Sequence, residues 1–142
     1  MPAWVSWALA SACFAAMTAV FAKAGVEHVS PDVATLIRTV VILIVLGTIV
    51  AATGEARTAA DISARAYGFL ILSGLATGAS WLCYFRALSV GDAARVAPLD
   101  KLSVVLVAVF GVAFLGERLS LVNWLGIVLI GGGAWLVTLR VG

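Results

Sequence analysis

The sequence predicts an all-α integral membrane protein with five transmembrane helices. Of its 142 residues, 63% are hydrophobic and 11% charged, where a soluble domain has roughly 45–50% apolar and 25% charged residues. A chain this short exposes much of its area, so that surplus of Val, Leu, Ile and Ala has to face lipid rather than water. Five apolar windows reach the roughly 20 residues that a helix needs to cross about 30 Å of hydrocarbon. Polar and turn-forming residues fall mainly between them.

The windows are residues 3–22, 32–53, 67–88, 96–115 and 121–139. No Lys or Arg precedes the first, and its length is that of a full span, so it is expected to be a retained helix rather than a secretory signal. Ser30, Pro31 and Asp32 form an N-cap followed by proline in the first turn and start the second helix. Residues 54–65 are the one longer loop. Gly91 and Asp92 end the third span and cap the fourth, while Gly116, Glu117, Arg118 and Ser120 make a tight polar turn before the fifth. The expectation is one membrane domain over residues 1–142, with no soluble appendage. Small residues recur at four-residue spacing, as Ala8, Ala12 and Ala16, as Ser11, Ala15 and Ala19, and as Gly74 and Gly78. Gly131, Gly132 and Gly133 flatten part of the fifth span. In lipid, where hydrophobicity cannot drive helices together, such faces are packing signals first.

Composition also excludes functions. The net charge of +2 is small and its cations are dispersed, so neither nucleic acid nor a polybasic membrane clamp is implied. Cys13 and Cys83 sit in apolar runs and read as small hydrophobes. His28, the single histidine, lies in a loop beside Glu27. No Ser/His/Asp, Cys/His or metal-ligand constellation exists, so no enzyme, cofactor or metal is expected.

Charged side chains within spans cost roughly 2.5–3.5 kcal/mol each on insertion scales, and four occur: Arg38, Arg86, Asp100 and Lys101. At 1.5 Å per residue, Arg38 lies roughly 10 Å below the start of its helix and Asp100 about 6–8 Å below the start of its own. Arg86 is within a turn of the end of the third helix. One reading pairs Asp100 with Arg86 or Arg38 under the head groups while the long cationic chains snorkel. The sharper one makes these charges a gate or coupling group, with Asp100 exchanging ion-pair partners with Lys101 or accepting a transported proton. Nearer the midplane, Ser11, Thr77, Ser80, Trp81, Tyr84 and Ser103 are candidate solute-lining residues. Thr77, Trp81 and Tyr84 share one helical face, which suits an uncharged or amphiphilic small molecule. Lipid contact or packing is the competing role for Trp81.

Loop cations normally fix orientation. Here Arg57, Arg65 and Arg118 fall to one side and Lys23, Arg95 and Arg140 to the other, three against three. The expectation is dual topology, with two copies pairing upside down; uniform orientation set by weaker cues is the alternative. An antiparallel homodimer would reproduce from one chain the inverted repeat found within many secondary transporters, and with it a symmetric basis for alternating access.

The stretch from Tyr84 to Trp135, YFRALSVGDAARVAPLDKLSVVLVAVFGVAFLGERLSLVNWLGIVLIGGGAW, resembles the repeat of the EamA-like branch of the drug/metabolite transporter superfamily. The matching features are Ala87 and Leu88 at the end of the third helix, then Gly91, Ala93 and Ala94. Pro98 follows early in the fourth, then the Leu115, Gly116 and Glu117 turn, and Gly126 and Gly133 in the fifth. Arg38 looks like the arginine that the family often places in its second helix. The resemblance extends over nearly the whole chain. It implies one five-helix repeat, where longer members carry two in inverted orientation, and hence a homodimer in the lipid bilayer. It implies export of small metabolites or drugs across a prokaryotic plasma (inner) membrane. The Asp100 and Lys101 pair departs from the more apolar fourth helix of longer members.

Two other functions compete. A proton-coupled small-multidrug-type cation exporter needs a membrane carboxylate, yet the first helix has no acid and the four in-span charges sum to a positive value. A non-transporting accessory subunit would pack against a larger membrane partner. Because His28 belongs to no constellation, His28→Ala is expected to leave function intact in any solute-flux assay.

Overall fold

The computed structural model describes residues 2–139; Met1 and residues 140–142, including Arg140 of the charge count, lie outside them. The described residues form six helices: α1 (Ala3–Val26), α2 (Pro31–Thr53), α3 (Ala64–Val90), α4 (Ala93–Asp100), α5 (Ser103–Leu115) and α6 (Leu121–Thr138). α4 and α5 together make one span, so five segments are long and apolar enough to cross a membrane. No strand occurs among the described residues.

The first helix runs on to Val26, past the expected 22, and local chemistry explains several of the other boundaries. Ser30 takes an extended conformation and its Oγ accepts the Val33 N–H at 3.4 Å, with Pro31 opening the helix. Gly54, at φ 75°, ends α2 in the left-handed region, and Glu55–Asp61 winds into a 3-10 segment inside the expected loop. α3 begins at Ala64 rather than 67 because Ser63 Oγ accepts the Ala66 N–H at 3.2 Å. The added turn carries Arg65, whose guanidinium stands 5.9 Å from the Phe69 ring centre. Ser120 caps α6 in the same way, accepting from Asn123 N–H at 3.2 Å. At the end of α5, Gly116 adopts φ 70°, a conformation costing a side-chain-bearing residue roughly 1–2 kcal/mol. This lets the Glu117 N–H turn back to the Gly111 carbonyl at 3.1 Å.

The fourth span departs most from a plain helix over 96–115. It starts earlier, at Ala93, where the Asp92 carbonyl accepts N–H groups from Arg95 and Val96, both at 2.9 Å. Asp92 occupies the cap position, although its side chain makes no capping bond. Pro98 then removes the donor that the Ala94 carbonyl would have used, and its ring crowds that carbonyl. The helix stops at Asp100. A tighter turn bridges to α5, with Lys101 N–H donating to Pro98 O and Leu102 N–H to Leu99 O, each at 3.0 Å. Backbone groups in hydrocarbon need internal partners, and these shorter-range bonds supply them across the break.

The chain divides into two compact units, Met1–Ala19 with Val90–Gly142, and Val20–Ser89. In the first, α4 and α5 both pack on α6. Gly131 lies close against side chains at the start of α5: a Cβ there would stand 3.0 Å from Val105 Cγ2 and 3.9 Å from Leu102 Cδ2. Ala19, Gly111 and Ala134 are its buried positions. In the second unit, Val26, Thr35, Phe85 and Leu88 are buried. They come from the end of α1, the start of α2 and the end of α3, so this unit is tightest at those helix ends. Gly74, Gly78, Gly126, Gly132 and Gly133 have nothing within 4 Å of a built Cβ among the described residues. The close packing expected of glycine is therefore realised within the chain at Gly131. Large apolar side chains face outward along every span, Phe114 being 80% and Leu121 87% exposed, as a lipid environment requires.

Gly131→Leu is expected to force α6 from α5 and to cost about 1–3 kcal/mol, the range for overpacking. Gly132→Leu, in open space, serves as the control. Thermal unfolding in detergent checks this, with a lowered midpoint for the first variant alone.

Candidate functional site

The second unit gathers charge where α2 begins and α3 ends. Asp32 lies in the first turn of α2, where a carboxylate is favoured by the helix dipole. Arg86 lies near the end of α3, and its Nη2 donates to both Asp32 carboxylate oxygens, at 3.0 and 3.1 Å. Both side chains are well exposed, at 62% and 59%, and pairs of that exposure contribute about 0–1 kcal/mol. This bridge orients the two helix ends more than it holds them together. Beside it, Lys23 in the last turn of α1 donates to the Leu88 carbonyl at 2.9 Å. Leu88 is wholly buried, so the ammonium satisfies a carbonyl near the end of α3.

Arg38 sits further into α2, seven residues past Pro31 and thus about 10 Å along the axis. Its guanidinium carbon lies 4.2 Å from the centre of the Trp81 ring and 5.6 Å from that of Phe85. Those rings are one turn apart on α3, so they present one aromatic face to the arginine. Phe85 is 3% exposed and meets Tyr84 edge-on, with ring centres 6.4 Å apart. A cation over such rings gains about 0.5–2 kcal/mol, more as it loses water. The arginine side chain thus runs across to α3, and part of its charge is offset by π faces.

In the first unit, Asp100 and Lys101 meet at the break in the fourth span, Oδ2 to Nζ, at 3.2 Å. Adjacent residues on a continuous helix point about 100° apart and do not face each other. They meet here because α4 ends at Asp100 and Lys101 occupies the turn, at φ −71° and ψ −3°. Because α4 starts at Ala93, Asp100 lies about 10 Å into its span, deeper than a start at 96 would put it. Pro98 creates the break, so the proline and the two charges form one local feature.

The remaining candidates are placed less tellingly. Thr77 directs its hydroxyl to its own helix, donating to the Ser73 carbonyl at 2.9 Å. Ser11, Ser80 and Ser103 are exposed on α1, α3 and α5. Gly116 and Glu117 form the α5–α6 turn, with the Glu117 carboxylate folded against Gly111, where a Cβ would stand 2.6 Å from Oε2. The free thiols of Cys13 and Cys83 are also exposed. Among the described residues no three His, Cys, Asp or Glu side chains are grouped to hold a metal.

Asp32, Phe85 and Lys23 were not among the sequence-derived site residues. Asp32 had a sufficient explanation as a first-turn acid, which concealed its second partner. Its signal was topological: the start of α2 and the end of α3 lie on one side of the membrane, so an acid and a base there are in reach.

Five membrane spans define a multi-pass membrane protein. The chain belongs to the EamA-like transporter family, which matches residues 2–139. It is 66% identical over 134 residues to a Sinorhizobium sp. protein described as an uncharacterized transporter in the cobO 3′ region, covering 94% of this chain and 95% of that protein. No solved structure matches it. It is therefore a membrane transporter of the drug/metabolite superfamily and not an enzyme, acting on small molecules from within the bilayer.

The aromatic contact gives a direct test. Trp81→Leu removes the better π face under Arg38 and is expected to lower stability in detergent by about 1–2 kcal/mol. In the Arg38→Gln background the same change is expected to cost measurably less, which a double-mutant cycle of unfolding midpoints reports.

Proposed function

We propose that the protein is a secondary exporter of small metabolites or drugs that works by alternating access as an antiparallel, dual-topology homodimer in a prokaryotic plasma membrane. The observation that carries this reading is the interrupted fourth span. Discontinuous helices that carry charge at the break are where many secondary transporters bind solute and coupling ions, and here the tight turn brings two charged side chains together inside the span. Asp100 and Lys101 occupy that position, the first as the last residue of α4 and the second in the turn that follows. The pair leaves both side chains partly uncovered by protein, so a solute or proton can reach it. Arg38 and Arg86 are the corresponding gate charges of the second unit, and Trp81, Tyr84, Thr77, Ser80, Ser11 and Ser103 line the path.

Two observations support the dimer. Counted along the sequence, the cations at or beyond the span ends divide evenly between the two sides, which removes the usual bias toward one orientation. The Sinorhizobium relative has nearly the same extent as this chain, consistent with a five-helix unit that becomes an inverted repeat by self-association. Outward movement is the direction that the family resemblance implies. Residues 1–142 act on this reading as a single repeat domain.

Reporters fused to each terminus are expected to give comparable signal on both sides of the membrane, and single-cysteine variants to cross-link between oppositely oriented copies. Uniform orientation in every copy would overturn the dual-topology dimer. In proteoliposomes, Asp100→Asn is expected to reduce pH-driven flux by at least about tenfold, as loss of a positioned proton acceptor does. Unchanged proton dependence would remove Asp100 from coupling.

A further inference from the structure

We infer that Arg38 is the solute-recognition residue of this protein, and that the solutes it takes carry an oxyanion, a carboxylate foremost. The inference rests on the transporter reading above and adds the substrate's charge and the group that meets it. Arg38 lies about 10 Å inside a span, where a guanidinium is costly and ordinarily has an acid nearby. Among the described residues it makes no ion pair or hydrogen bond, whereas Arg86 is paired with Asp32 and Lys101 with Asp100. Trp81 and Phe85 offset part of its charge but offer no oxygen to its five N–H donors.

The contrast with Arg86 is informative. On the same two helices, six residues nearer the start of α2, Asp32 satisfies Arg86 through both its oxygens. At Arg38 the chain provides a platform and no carboxylate. A guanidinium whose face rests on aromatic rings and whose fork is unengaged is organised for bidentate contact with a carboxylate or phosphate. Thr35 and Thr39 beside it donate their hydroxyl protons to the Pro31 and Thr35 carbonyls, each at 2.8 Å. They therefore do not compete as donors to an incoming anion. A cationic solute is disfavoured twice here, by repulsion from Arg38 and by prior occupation of the Trp81 face.

An oxyanion has two sources, a soluble solute or an anionic lipid head group, and the experiment separates them. Purified protein in phosphatidylcholine nanodiscs is titrated with acetate, succinate and phenylacetate, with acetamide, succinamide and phenylacetamide, and with phenethylamine. Binding is read by thermal shift, and a parallel sample contains phosphatidylglycerol. At least one carboxylate is expected to stabilise the protein while its amide and the amine do not. Arg38→Gln is expected to weaken that binding about tenfold or more, the equivalent of one charged hydrogen bond. Arg38→Lys, which keeps the charge but not the fork and guards against misfolding of the first variant, is expected to fall between. Equal binding of carboxylate and amide would overturn the inference, as would carboxylate binding unchanged in Arg38→Gln. So would Arg38-dependent stabilisation by phosphatidylglycerol alone, or no Arg38-dependent binding of any carboxylate. Flux measurements separate this failure from that of the parent reading. Transport of amides or amines indifferent to Arg38 sinks the anion assignment and keeps the transporter. Arg38-dependent carboxylate binding without flux does the reverse.

Discussion

Hydrocarbon offers no partner to a backbone N–H or C=O, and the breaks and ends of the helices in this chain answer that constraint. Where Pro98 removes a donor, the chain does not unwind freely; it tightens, and the Lys101 and Leu102 N–H groups find carbonyls three residues back. The Leu88 carbonyl near the end of α3 accepts a hydrogen bond from the Lys23 ammonium. At the other turns, Ser30, Ser63 and Ser120 each accept an N–H from the first turn of the helix that follows. Polar side chains in this protein are placed largely by the backbone groups they complete.

The charges left over are more informative than those that pair. Asp32 with Arg86 at the helix ends, and Asp100 with Lys101 at the break in the fourth span, each have a partner within the chain. Arg38 is held instead by aromatic contact, which fixes its position without neutralising its charge. Within the second unit this creates a graded arrangement along α2 and α3: a satisfied pair toward the helix ends and an unsatisfied cation deeper in the span.

The spans were legible because hydropathy over 20 residues is a strong signal and because Ser30, Pro31 and Ser120 mark helix starts directly. The boundaries that differed did so for local reasons. Ser63 supports a turn ahead of position 67 that Arg65 made look too polar. Pro98 was visible, but its consequence was not, because a window average over 96–115 cannot distinguish one helix from two separated by a tight turn. At the candidate site, residue types were readable and partnerships were not. Arg38, Trp81 and Tyr84 stood out as polar or aromatic groups in spans, whereas the stacking of Arg38 on Trp81 depends on which face of α2 meets which face of α3. Sequence spacing within one helix does not contain that relation. Family membership fixed the transport function more firmly than any of these residues.

The threonines of α2 carry a further implication. Thr35, Thr39 and Thr48 each return their only hydroxyl proton to a carbonyl of their own helix, four residues back. A hydroxyl engaged in this way is nearly silent to its surroundings, so α2 can swivel about its axis or slide against its neighbours without stranding a donor in oil. The threonines thus leave the facing of α2 to other groups, to Asp32 with Arg86 at its start and to Arg38 on the Trp81 ring further in.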